Sequence, residues 1–567
     1  MAPLSFLSLP LLAGVVSAVT LSVASSGGNA TSGYQYGLMF EDISHSGDGG
    51  IAFQGGTTLN GWTAFGSASI ALDNNTNPLS SALPTSVKVT AKADGVVGIK
   101  NSGWWGIDVK AANTYTGSFY SLGTYLGNFT ASLVSDITNQ TLASVTVASS
   151  SVANTWTQHT YELQPSVDAP NSNNSFLLSY EATSGDVLNF DLISLFPPTY
   201  KDTPNGNRLD LMEALAGLKA KYFRIPGGNN LEGEAAGLQW NWTKTLGDLT
   251  ERPGRYGDWG YQNTDGLGLI EYLIWCQDLE LEPVLAVFAG YWLDETAAPE
   301  DELQPYVDSA LAELEFLMDD SSTTWGAKRI ALGYPDPFPI KFVEVGNEDG
   351  LSTTGIDTYS SYRLEMFYNA ITAKYPDILI FSSIPIGVWP YWIGSVAEAI
   401  FAIGCERNAD RVWGISYAPV LQNLNSYEWS PDLISFTADP GQTVLSTSYE
   451  VLRLLGSNVF TSTLPVYSKD AFGPAYWVAG VDDATSTYYL KAAVYNATED
   501  VDFTVSFLGL TGGSATLTVL TAPDGYSHNA IGTEVVTTTT TTLTASGNGT
   551  FSFSLPELSV AVLAATA

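Results

Sequence analysis

The chain has 567 residues, enough for three or four domains or for one large domain with attachments. Its 22 Lys and Arg face 58 Asp and Glu, a formal charge of −36 that argues against partners built on a phosphate backbone or an anionic lipid surface. Hydrophobic residues at 45 % exclude wholesale disorder, and aromatics at 12 % suit stacking on uncharged ligands such as sugars.

Residues 4–16 form an apolar run of signal-peptide length, and Val16-Ser17-Ala18 supplies small residues for cleavage, although Lys and Arg are missing before it. Residues 1–18 are read as a signal peptide. Later runs are too short to span a bilayer, so a secreted, extracellular protein is expected. Asn29, Asn74, Asn128, Asn139, Asn173, Asn241, Asn496 and Asn548 head glycosylation sequons, which agrees with that route. Cys276 and Cys405 show no zinc or redox spacing and read as two small buried thiols. His45, His159 and His528 are scattered, so neither a metal nor a cofactor is expected.

Residues 19–50 are predicted to hold a first barrel strand, Tyr36–Phe40, and its loop. Residues 51–198 alternate with period 2 between turn clusters, as in Ser86–Thr90 and Phe129–Val134, and predict an antiparallel β-sandwich suited to carbohydrate. Residues 199–436 alternate strands with helical patterns, the mark of a parallel (β/α)-barrel. The predicted strands are Tyr222–Ile225, Pro283–Phe288, Phe342–Val345, Ile378–Phe381 and Val412–Ser416. Residues 437–567 return to β patterns, and the Thr537–Thr542 run reads as a strand of β-branched residues. With Tyr36–Phe40 the barrel has six strands. Only residues 382–394 separate the fifth strand from the next helix, whereas a βαβ unit takes roughly 30 residues. The fold class is thus a (β/α)8-type barrel lacking about two βα units, with β-sandwiches on either side.

Three predicted strand ends carry chemistry. Phe342-Val343-Glu344-Val345-Gly346-Asn347-Glu348-Asp349 ends a strand in Asn-Glu, on the face where barrels build active sites. A carboxylic acid there can protonate a leaving oxygen, and an Asn can bind a sugar hydroxyl; a strand-end turn with a solvated Glu fits the strand equally well. Tyr222-Phe223-Arg224-Ile225 opens into Pro226-Gly227-Gly228-Asn229, which brings Arg224 and Asn229 within reach of a ligand or, equally, makes a tight turn. Phe40-Glu41-Asp42 again places a carboxylate at a strand end; taken singly a helix-capping or turn role fits it better, but three such loops in barrel order point to a site.

These segments, with Leu246–Arg255 and Trp259–Gly268, resemble the secreted fungal-type α-L-arabinofuranosidases of glycoside hydrolase family 51. Glu406–Asp410 and Tyr417-Ala418-Pro419 resemble that family's last helix and strand, so the likeness spans nearly the whole mature chain. It implies retaining release of non-reducing terminal α-L-arabinofuranosyl groups from arabinose-containing plant polysaccharides. By motif, Glu348 matches the catalytic acid/base, and Glu41, Arg224, Asn229 and Asn347 match substrate-binding positions. Retention also needs a nucleophilic carboxylate about 5–5.5 Å from the acid. The family's nucleophile motif has no counterpart here. Its place is taken by Ser382–Trp389, and residues 50–55 are shortened as well.

The nearest later carboxylate, Glu398, reads as a helix-surface residue rather than a substitute. The leading expectation is an arabinofuranosidase that is inactive as it stands. A non-catalytic carbohydrate-binding protein and another retaining barrel glycosidase are the alternatives. The choice between arabinan and arabinoxylan is open.

Overall fold

A computed structural model describes residues 18–46, 59–74, 77–204, 206–382, 391–426 and 429–566. Residues 1–17 of the predicted signal peptide, residues 50–55 and the segment Ser383–Trp389 therefore lie outside the described residues.

Six parallel strands form the central sheet: β1 (Tyr36–Met39), β2 (Tyr222–Ile225), β3 (Glu282–Val287), β4 (Phe342–Val345), β5 (Leu379–Ser382) and β6 (Ile415–Tyr417). Their order is β5-β4-β3-β2-β1-β6, so β5 and β6 are edges with no pairing between them among the described residues. The sheet nevertheless curls. Trp413, two residues before β6, meets Phe381 of β5 at 5.3 Å and Phe342 of β4 at 4.3 Å. Tyr34 stacks on Trp413 at 4.7 Å, and Tyr222 lies 5.6 Å away. These rings plug the N-terminal mouth of the half-barrel. Gly37 is the residue that makes room for them, since a Cβ there would stand 2.2 Å from the Tyr222 ring.

Helices cover the outside, as parallel strands require. α1 (Leu209–Gly217), α2 (Leu269–Asp278), α3 (Gln304–Met318) and α4 (Leu364–Lys374) bury Met212, Leu273, Leu314 and Phe367 in one core. α5 (Trp392–Arg407) packs instead against the C-terminal strands through Trp392, Val396 and Ile403.

The N-terminal sandwich stacks two five-stranded antiparallel sheets between Trp62 and Asp191 around Phe119, Phe129 and Phe190. The C-terminal one pairs a six-stranded with a four-stranded sheet. Here the allocation of residues 19–50 to the barrel needs a correction. Val19–Val23 runs parallel to Val501–Phe507 and completes the C-terminal sandwich. Thr537–Thr544 is a strand at the edge of the six-stranded sheet, nearly all exposed. Lys491, fully buried, pairs with Glu406 of α5, which also accepts from the Tyr36 hydroxyl at 2.8 Å, and so ties this sandwich to the half-barrel. Both cysteines are free thiols; Cys276 is buried and Cys405 half-buried.

Candidate active site

The loops after β1, β2 and β4 meet at the C-terminal face of the sheet. Alternation along β2 and β4 sends Arg224 to the same side as Tyr222, and Glu344 to the same side as Phe342. Arg224 and Glu344 are charges of opposite sign in two otherwise apolar strands, and they form an ion pair. The strand between them presents only Ala286 opposite Glu344, which leaves the guanidinium room to cross. Arg224 Nη2 also donates to Asn347 Oδ1 at 2.8 Å, and Asn347 Nδ2 donates to Glu232 Oε2 at 2.7 Å.

Glu41 enters from the loop after β1. It is 6 % exposed and accepts from Trp259 Nε1 at 2.8 Å. Gly228 backs directly onto it. The φ of +63° at Gly228 is one that only glycine adopts easily, and a Cβ there would lie 1.8 Å from Glu41 Oε2. Asn229 opens the short helix Asn229–Glu232, half-buried, on the turn that holds Gly228.

Glu348 follows Asn347 with a φ of +46°. The next residue anchors this turn. Asp349 pairs with Arg363, a fully buried side chain that also donates to the Gly355 carbonyl at 2.8 Å and the Ala289 carbonyl at 3.1 Å. Gly346 matters for the same reason, because a Cβ there would reach within 1.8 Å of Asp349 Oδ2.

Arg224 acts electrostatically on Glu41 and Glu348, and Glu348 and Glu41 act on Glu232. The structure thus brings Glu41, Arg224, Asn347 and Glu348 into one cluster, with Asn229 at its margin. Carboxyls outnumber cations, and burial keeps protons on. Burial raises Glu348 above the ordinary carboxylate range against the pull of Arg224. It raises Glu41 to about 7, and Glu232 to about 9 with help from Asp349, Glu348 and Glu41.

Glu344 lies in a strand-end segment and Trp259 opens Trp259–Gly268, both without a role assigned from sequence, and Glu232 lies three residues beyond Asn229. The readable signal was a Glu in Phe-Val-Glu-Val opposite an Arg in Tyr-Phe-Arg-Ile; Glu232 had none. The expectation of a helix-surface Glu398 is corrected. It is half-buried on α5, burial lifts it to about 7, and it bonds Ser448 and acts on Tyr417 rather than on the Arg224 cluster.

Glu232 has a consequence for stability. Its folded value lies far above its ordinary 4.5, so between those two pH values the folded chain holds a proton that the unfolded chain has lost. Its contribution is complete below about pH 4.5 and fades as pH rises towards 9. Melting temperature should fall from pH 5 to pH 8. Glu232→Gln, whose amide oxygen can still accept from Asn347, should flatten the fall. Equal slopes in thermal melts of the two chains would contradict this.

Two family models match: the alpha-L-arabinofuranosidase 1 domain over residues 214–399 and the alpha-L-arabinofuranosidase C-terminal domain over 390–559. Alpha-L-arabinofuranosidase A of Aspergillus niger is 40 % identical over 96 % of both chains. A probable alpha-L-arabinofuranosidase A of Aspergillus terreus is 40 % identical over 97 % of this chain and 96 % of its own. The Aspergillus niger alignment runs over 613 positions, more than the 567 residues of this chain, so the relative carries residues that this chain lacks. The structure of an arabinose-bound MgGH51 α-L-arabinofuranosidase superimposes with a TM-score of 0.89 at 32 % identity, over 97 % of this chain and 100 % of that one. Identity of 40 % over nearly the whole of both chains, two matching family models and a shared three-dimensional shape show that the chain belongs to the α-L-arabinofuranosidases of glycoside hydrolase family 51.

Proposed function

We propose that the cluster around Arg224 is the pocket for a terminal arabinofuranosyl group of an arabinose-containing polysaccharide, and that Glu348 is the group that protonates the departing oxygen. The observation that carries this is the convergence of Arg224 from β2, Glu41 from the loop after β1, and Asn347 and Glu348 from the loop after β4 on one face. Asn347, fixed between Arg224 and Glu232, holds a neighbouring hydroxyl, and Glu41 and Asn229 hold the rest of the ring. A raised carboxyl suits Glu348 for proton donation.

Among the described residues the cluster shows no carboxylate placed to attack. A nucleophile must be ionised, yet Glu41 and Glu232 hold their protons to about pH 7 and 9, and Glu344 is committed to Arg224. In this reading the 567-residue chain binds the arabinofuranosyl group and does not turn it over. The apolar start of the chain directs it out of the cell. Among the described residues no helix is long and apolar enough to cross a membrane. Titration calorimetry with L-arabinose tests the pocket. Saturable binding that disappears in Glu41→Ala is expected, and unchanged binding in that variant would remove the assignment.

A further inference from the structure

The sandwich does not stand apart from this cleft. Between its strands Gly95–Asn101 and Tyr115–Leu122 a loop carries Trp104 and Trp105 to the barrel. Asn423, beyond β6, donates through Nδ2 to the Trp104 carbonyl at 3.1 Å. The Trp104 ring stacks on His45 at 4.3 Å, and Trp105 meets the same imidazole edge-on at 5.5 Å. His45 in turn stacks on Tyr261 at 4.0 Å. The Tyr261 hydroxyl donates to the Asp42 carbonyl at 3.1 Å, one residue from Glu41. A continuous run of rings therefore leads from the edge of the Glu41 pocket to the surface of another domain.

At its outer end Trp105 is 43 % exposed. An indole that could have been folded away is held in solvent beside a cleft, on a loop braced from both domains. A single exposed indole is ordinary on a protein surface, but this one stands at the outer end of a ring run that reaches the edge of the Glu41 pocket, where an aromatic face can meet a ligand. The occupant follows from chemistry. The chain carries a charge of −36, so an anionic polymer is repelled. Pyranose rings present flat faces of C–H bonds to an indole, whereas puckered furanose rings do so poorly.

We propose that the Trp104–Trp105 loop is the platform for the leaving group: it holds the pyranose backbone of a xylan-type polysaccharide whose arabinofuranosyl branch enters the pocket. The proposal rests on the reading of that pocket given above. Trp105 supplies the stacking face, and Trp104, wedged against His45, sets its position. A free arabinofuranosyl unit fills the pocket without touching the platform, so the two sites separate experimentally.

The test uses the full chain and titration calorimetry with three probes: L-arabinose, an arabinofuranosyl-substituted xylo-oligosaccharide and an arabinan oligosaccharide. Trp105→Ala should weaken the substituted xylo-oligosaccharide by about tenfold, or about 1.4 kcal/mol. It should leave arabinose unchanged, and Trp105→Phe should recover most of the loss. Trp105 is exposed, and a matching melting temperature for the variant confirms its fold. Unchanged affinity for the xylo-oligosaccharide in Trp105→Ala overturns the platform even if arabinose binding stands. A tenfold loss confined to the arabinan probe overturns the choice of a pyranose backbone. If the chain does not bind arabinose at all but binds the xylo-oligosaccharide through Trp105, the pocket reading fails while the platform holds.

Discussion

Arg224→Met is expected to abolish arabinose binding and to destabilise the fold by about 3–5 kcal/mol, the usual cost of stranding one member of a buried ion pair. Glu344 is 8 % exposed and has its charge balanced by this guanidinium. Without it the Glu344 carboxylate is left buried and uncompensated. Asn347 would also lose the donor that orients its amide. The double variant Arg224→Met with Glu344→Gln separates the two roles. It should regain most of the lost stability in chemical denaturation and none of the arabinose affinity. Restored binding in that double variant would show that Arg224 serves only the fold.

The second large effect concerns Glu348, in a version of the chain given a barrel strand carrying a carboxylate after Ser382. When the C1–O bond breaks, the leaving oxygen takes the proton from Glu348 while the new carboxylate attacks C1 and forms a glycosyl-enzyme. Water then hydrolyses that intermediate, with Glu348 as the base. General acid catalysis of this kind is worth about 10²–10⁴-fold. Glu348→Ala in the restored chain should lose about that factor on a polysaccharide. It should lose less on an aryl arabinofuranoside, whose phenolate departs more readily without a proton. Equal losses on both would indicate that Glu348 does not act on the leaving group.

All six strands of the half-barrel were legible as short apolar runs, five of them beside helical patterns. β6 begins three residues later than its pattern suggested. Trp413 turns into the ring stack with Tyr34 and Phe342 instead of pairing, and a Cβ on Gly414 would meet the Tyr34 carbonyl at 2.2 Å. Val19–Val23 could not be placed from its own residues. Its partner strand, Val501–Phe507, lies at the far end of the chain, and an isolated period-2 segment does not name the sheet it joins. In the site, Glu41, Arg224, Asn347 and Glu348 were legible because each stands at or beside a strand end. Glu232 was not, because its proximity to Asn347 arises from a turn that the two glycines before Asn229 permit. The reach of the Trp104–Trp105 loop into the barrel was invisible for the same reason as Val19–Val23: it depends on how two domains dock.

The most direct measurement is the steady-state rate of the unmodified 567-residue chain on an aryl α-L-arabinofuranoside, taken beside arabinose calorimetry on the same sample. Saturable arabinose binding and hydrolysis at the background rate are expected. Turnover comparable to that of an active family member would show that a carboxylate of this chain already serves as the nucleophile, and would contradict the claim that the acid stands alone.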